Sequence, residues 1–176
     1  AGSAGWCAVL QLERPSMAAV NGFAMGGGFE TARSGGFSLA SGQAKFALPE
    51  VKVGFFAAAS GVPRLSRYIG RLAAQEMMLT GRTISAAEAL DMGCVNEVHP
   101  HDQLMAKAME KAEQLCTGSP SAIKATKRVL NDLAKRDGMV ESIAYSREVL
   151  ADLAKTEDFK EGVNAFVEKR APKWVN

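Results

Sequence analysis

Residues 21–30 read NGFAMGGGFE, which sets three consecutive glycines two positions ahead of an acid, Glu30. A glycine cluster between a strand and a helix lets backbone N–H groups point at an incoming oxygen at the positive end of the helix dipole. That suits an anion, either a phosphate or an oxyanion that develops during a reaction. The spacing of Gly22, Gly26, Gly27 and Gly28 fits neither GxxxxGKS/T nor GxGxxG, which disfavours a nucleotide loop. A GxSxG elbow and a Cys–His pairing are both missing, which disfavours covalent hydrolysis. Carboxylate chemistry remains: Glu30 lies one turn into the helix after the glycines, and Glu50 follows Pro49 at the end of FALPE. Taken singly, each is more commonly a solvated surface acid than a catalyst.

The elements that must position these residues can be read from pattern. SMAAVNGF after Pro15 is a short apolar run, as in a strand buried on both faces, and the glycines then give way to helical spacing in FETARS. FSLAS and AKFAL are two short segments separated by Gly42 and Gln43. Beyond Pro63, RLSRYIG and RLAAQEMMLTG are helical, each closed by a glycine suited to a left-handed cap. Ser85 and Glu88 have capping-box spacing with Gly93 as terminator, and CVNEVHP alternates like a further strand. From Asp102 onward the chain reads as helices, one opening at Ser119–Pro120 and running through IKATKRVLNDLAKR. The last, EDFKEGVNAFVEKR, has Glu157 and Asp158 in its first turn, Lys169 and Arg170 in its last, and an apolar stripe of Phe159, Val163, Phe166 and Val167. The expected organisation is α/β over residues 1–98 and helical over 99–176.

Composition narrows the function classes. The 176 residues are 47% hydrophobic and 23% charged, with net charge +2, which suits a globular domain and leaves only a weak electrostatic case for nucleic acid. No apolar run reaches the roughly 18 residues of a membrane span. Cys7, Cys94 and Cys116 are odd in number and lack CxxC spacing, so neither a disulfide framework nor a zinc site is expected, and a reducing compartment is. His99 and His101 in HPHD read as a solvated turn rather than a metal site. The opening AGSAGWCAVLQLERP reads as the edge of something longer.

The stretches ERPSMAAVNGFAMGGGFETA, AKFALPEVKVGFF, RLSRYIGRLAAQEMMLTGRTISAAEALDMGCVNEV and AFVEKRAPKW, in this order, resemble the enoyl-CoA hydratase/isomerase (crotonase) family from about Glu13 to Trp174. The resemblance implies a ClpP/crotonase spiral of ββα units, here incomplete and followed by a helical region for oligomerisation and CoA binding. It implies an acyl-CoA thioester substrate and syn hydration of a 2,3 double bond, as in fatty acid β-oxidation. By resemblance Gly27 supplies one of two oxyanion N–H groups, Glu30 activates the water adding at C3, and Glu50 delivers the proton to C2. Met25, Gly26, Gly28, Ala57 and Ala58 would line the substrate, and Lys169 and Arg170 would lie near the CoA phosphates. Family isomerases keep the Glu50-like acid but lack the Glu30-like one, so both together favour the hydratase.

No metal or cofactor beyond the substrate's own CoA is expected, nor a nucleic acid or membrane partner; a homotrimer or homohexamer in the cytoplasm or mitochondrial matrix is. Gly35 and Gly36 stand where many members carry Cys-Asp, and Ala57 to Ser60 where they carry a Pro-Gly-rich loop. The N-terminal third of the family pattern, with the second oxyanion donor, is not in these 176 residues. The alternatives are therefore a catalytically silent oligomer partner or an isomerase.

Overall fold

The computed structural model describes residues 8–9, 11–133 and 138–175. The expectations for the opening stretch through Cys7, and for helix continuing over residues 134–136, lie outside the described residues. Contacts divide the chain into two compact units, Ala1–Leu12 with Ser16–Lys111, and Glu13–Pro15 with Ala112–Asn176.

The first unit winds six short strands into two sheets. β1 (Met17–Val20), β3 (Phe37–Ser41) and β6 (Glu97–His99) form one sheet in the order β1-β3-β6, all parallel. β2 (Phe23–Met25), β4 (Lys45–Ala47) and β5 (Ile84–Ser85) form the other, with β2 parallel and β5 antiparallel to β4. Successive passes of the chain lay one strand in each sheet, and α1 (Gly27–Ser34) follows the first pair. This is a spiral of ββα turns, in which parallel neighbours come from consecutive turns.

β1 departs from the expected strand buried on both faces: all four of its residues are half-buried, and among the described residues it is an edge strand paired with β3 alone. β2 lies in what reads as the end of an apolar run, and its three residues are fixed by register with β4, Phe23 opposite Lys45 and Met25 opposite Ala47. The core fills the space under α1: Phe29 and Phe46 meet with ring centroids 5.3 Å apart, joined by Leu48, Met77 and Ile84. A smaller cluster places Leu39 against Leu104 and Ala108 of α5 (Leu104–Cys116).

Local signals account for the short helices. α2 (Ser66–Ile69) leads into α3 (Arg71–Thr80), which ends at Gly81 in the left-handed region, where its N–H donates to the Met77 carbonyl at 2.9 Å. Gly70, expected to cap in the same way, has φ 80° but ψ 156°; it breaks the chain direction without closing a left-handed cap. α4 (Ala86–Asp91) opens on the expected capping box, with the Ser85 hydroxyl accepting from the Glu88 N–H and the Glu88 carboxylate accepting from the Ser85 N–H.

The second unit contains α6 (Pro120–Leu133), α7 (Met139–Leu153) and α8 (Glu157–Glu168). Its organising polar residue is Asp158, 3% exposed. Oδ2 accepts from the Ser119 hydroxyl and the Ser121 N–H, both at 3.0 Å, and Oδ1 accepts from the Val175 N–H at 3.0 Å. One carboxylate thus ties the start of α6 to the chain end. The stripe Phe159, Val163, Phe166 and Val167 of α8 is 38–85% exposed, so it is not a core face of this chain. Lys169 and Arg170 lie beyond the last turn rather than in it, since Lys169 adopts φ 55° as the left-handed cap.

The Val175 N–H is the main cause that brings the Asp158 carboxyl down to about 2; burial opposes it, and Ser121 and Ser119 add to the lowering. The folded value lies below that of an unfolded aspartate, about 3.9. The contribution is therefore complete above about pH 4 and is lost as pH falls towards about 2. Asp158→Ala is expected to cost about 1–3 kcal/mol and to flatten this acid limb of stability. Thermal melts over that pH range read both effects.

Candidate active site

The glycine triplet is not a loop. Gly26 is the N-cap of α1, at φ 52° and ψ −124°, while Gly27 and Gly28 form the first helical turn. The Gly26 N–H donates to the Ala47 carbonyl at 2.9 Å, so the cap is pinned to β4 and the following amides open the helix. The first N–H groups of a helix have no intrahelical acceptor. The amides of Gly27 and Gly28 are thus donors at the positive end of the helix dipole.

Glu30, in the same helix, is 4% exposed. Its N–H donates to the Gly26 carbonyl at 3.0 Å, and its carbonyl accepts from the Ser34 hydroxyl at 2.8 Å. Oε1 accepts from two consecutive backbone donors, the Ser60 N–H at 2.7 Å and the Gly61 N–H at 2.6 Å. These amides lie where the turn over residues 58–60 runs into a π-helical turn over Gly61–Leu65. Such single π turns occur frequently at functional sites. One oxygen of Glu30 is thereby fixed, and the other can serve chemistry.

Glu50 opens a 3₁₀ turn, Glu50–Val53, and is 6% exposed. A Cβ added to Gly26 would lie 2.9 Å from Glu50 Oε1, so the second carboxylate abuts the cap of the helix that carries the first. Glu50 Oε2 is shielded from solvent and has no hydrogen-bond partner among the described residues. A buried, unpartnered carboxylate oxygen is costly in a purely structural role.

Gly61 is required by close packing. A Cβ there would stand 2.4 Å from Ala57 Cβ, 3.1 Å from Leu48 Cδ1 and 3.2 Å from Glu30 Oε1. Gly61→Ala is expected to destabilise the fold by about 1–3 kcal/mol, as overpacking does. Urea denaturation measures it.

Glu30 lines a narrow cleft with Phe29, Arg33, Leu48, Arg64 and Tyr68, among others. Cys94 is buried in the core of this unit, and burial raises its thiol to about 11, so it is not a nucleophile. Among the described residues no group of three or more His, Cys, Asp or Glu could hold a metal ion. His99 pairs with Glu97 at 2.8 Å, and the His101 ring meets the Ser41 hydroxyl at 3.2 Å.

The fold thus gathers Met25, Gly26, Gly27, Gly28, Glu30 and Glu50 around one helix start. Ala57 is buried and Ala58 exposed in the segment just before the amides holding Glu30. Lys169 and Arg170 belong to the other unit, and Arg170 is engaged there by Glu161 at 2.6 Å and by Glu168 at 2.5 Å. Sequence reasoning missed Ser60 and Gly61, which act through backbone N–H groups that any residue but proline carries. The only signal was the Ser-Gly pair at the point of departure from the family pattern.

A sequence model of enoyl-CoA hydratase/isomerase matches residues 1–176. A carnitinyl-CoA dehydratase of Salmonella typhi is 40% identical over 177 residues, covering 98% of this chain and 67% of the relative. A Mycobacterium tuberculosis protein named "probable enoyl-CoA hydratase echA8" is 38% identical over 171 residues, covering 97% and 66%. The crystal structure of an enoyl-CoA hydratase from Bacillus anthracis matches with a TM-score of 0.94 at 34% identity, over 98% of this chain and 67% of that one. The chain spans about two thirds of the length of these relatives, and its spiral is the crotonase fold. With the sequence match running its whole length and the backbone agreeing with a solved member, the chain belongs to the enoyl-CoA hydratase/isomerase family.

Proposed function

We propose that this protein is an enoyl-CoA hydratase, adding water in the syn sense across the 2,3 double bond of an enoyl-CoA thioester. The observation that carries this reading is the pair of buried carboxylates, Glu30 and Glu50, at the start of α1. In this reading the Gly27 N–H receives the thioester oxygen as negative charge develops on it. One such preorganised donor is worth roughly 2.7–4 kcal/mol. Glu30, with Oε1 held by two amides, takes a proton from the water whose oxygen bonds to C3. Glu50 delivers a proton to C2, and proton exchange with solvent resets the pair. The net change is one water added, and no oxidant, reductant or cofactor enters beyond the CoA of the substrate. The assembly belonging to this proposal is a homotrimer or homohexamer.

The 40% identity to a carnitinyl-CoA dehydratase favours a second reading, the reverse reaction on a 3-hydroxyacyl-CoA. The same residues would serve, with Glu50 removing the C2 proton and Glu30 protonating the departing hydroxyl. Hydration and dehydration are two directions of one reaction, so three substrates separate that reaction from isomerisation: crotonyl-CoA, 3-hydroxybutyryl-CoA and a 3-enoyl-CoA. Interconversion of the first two is expected. Turnover of the 3-enoyl-CoA alone would show an isomerase instead.

A further inference from the structure

The cleft beside Glu30 contains a second cluster that hydration does not use. Arg33 and Arg64 both line it. Their guanidinium carbons stand 4.5 and 5.5 Å from the centre of the Tyr68 ring. Arg33 Nη1 donates to the Cys94 carbonyl at 2.7 Å, and Arg64 Nη2 donates to the Tyr68 hydroxyl at 2.5 Å. Arg33 Nε and Arg64 Nη1 are then shielded from solvent with no acceptor. Among the described residues neither arginine forms an ion pair with a carboxylate.

Two like charges on one ring repel, and a shielded N–H without an acceptor is unfavourable. Burial lowers Arg33 from its ordinary value; Tyr68 and Cys94 oppose that, and the Arg64 charge adds to it. The Tyr68 ring attracts each cation, but it gives the two shielded N–H groups no acceptor. What resolves both the repulsion and the unmet donors is an anion with paired oxygens, and a carboxylate matches the guanidinium fork. The cleft is narrow, and Tyr68, 46% exposed, is the wall that must turn aside for such a group to enter, as exposed side chains do rapidly.

The geometry points to a carboxylate subsite formed by Arg33 and Arg64, which takes the free carboxylate at the far end of the acyl chain of a dicarboxylic acyl-CoA monothioester. The assignment rests on the acyl-CoA reading above, because Glu30 lines the same cleft and places the subsite on the reacting side rather than the nucleotide side.

Calorimetric titration of the full-length protein with glutaryl-CoA and with valeryl-CoA tests it. These analogues differ by a carboxylate in place of a methyl group, and neither carries a double bond to hydrate. The wild type is expected to bind glutaryl-CoA about 10- to 100-fold more tightly. Arg33→Met and Arg64→Gln are each expected to bring the two affinities to within about threefold, with valeryl-CoA binding in the same samples reporting that the variant is folded. Equal affinities in the wild type, or a preference that survives both substitutions, overturns the subsite. Wild-type hydration of crotonyl-CoA is read separately. Tight glutaryl-CoA binding without hydration defeats the hydratase reading alone, while hydration without a glutaryl-CoA preference defeats the subsite alone.

Discussion

Glu30→Gln is expected to lower kcat/KM for crotonyl-CoA hydration by about 10²- to 10⁴-fold, the usual worth of a positioned general base. The substitution keeps the shape of the side chain, and the carboxamide oxygen can still accept from the Ser60 and Gly61 N–H groups that hold Oε1. The fold should therefore survive, and the loss should fall on kcat rather than KM, because the proton transfer belongs to the transition state. Glu50→Gln is expected to lose a similar factor. The double variant should fall little below the worse single one, since the two carboxylates serve one coupled transfer. Steady-state kinetics of the three variants, with circular dichroism as the folding control, measures this.

The second large effect is on stability. Phe46 has no exposed surface and packs its ring at 54° against that of Phe29, the residue directly before Glu30. Phe46→Ala removes one ring of that pair and leaves a cavity under α1 among Leu48, Met77 and Ile84. The expected cost is about 3–5 kcal/mol, which combines lost transfer energy with a cavity that the short strands can only partly close. Urea unfolding measures it as a lower midpoint. Phe46→Leu fills most of that volume and should recover more than half of the loss.

What could be read from sequence was what depends on neighbours along the chain. The capping box at Ser85 and Glu88 needs only residues three apart, and the terminator at Gly81 needs only one residue free to adopt positive φ. Glu30 and Glu50 stood out because their types and surrounding motif match a chemistry, although each alone reads as a surface acid. What could not be read depends on distant backbone. The three residues of β2 form a strand only because β4 lies alongside. The amides that clamp Glu30 come from 30 and 31 residues further on and carry no side-chain signature. Lys169 takes a backbone conformation usually left to glycine, which residue type argues against. The apolar stripe of α8 is legible as a period, yet periodicity does not say what covers it, and among the described residues nothing buries Phe166 or Val167.

In the proposed hydratase, two carboxylates beside one helix start add water to an activated double bond. Incubation of the protein with crotonyl-CoA in oxygen-18-labelled water, followed by mass spectrometry of the thioester, tests it directly. The expected product is 3-hydroxybutyryl-CoA with one heavy oxygen on C3, formed at a rate that collapses in Glu30→Gln. A product with no heavy oxygen on C3, or labelling that proceeds undiminished in Glu30→Gln, would contradict the account.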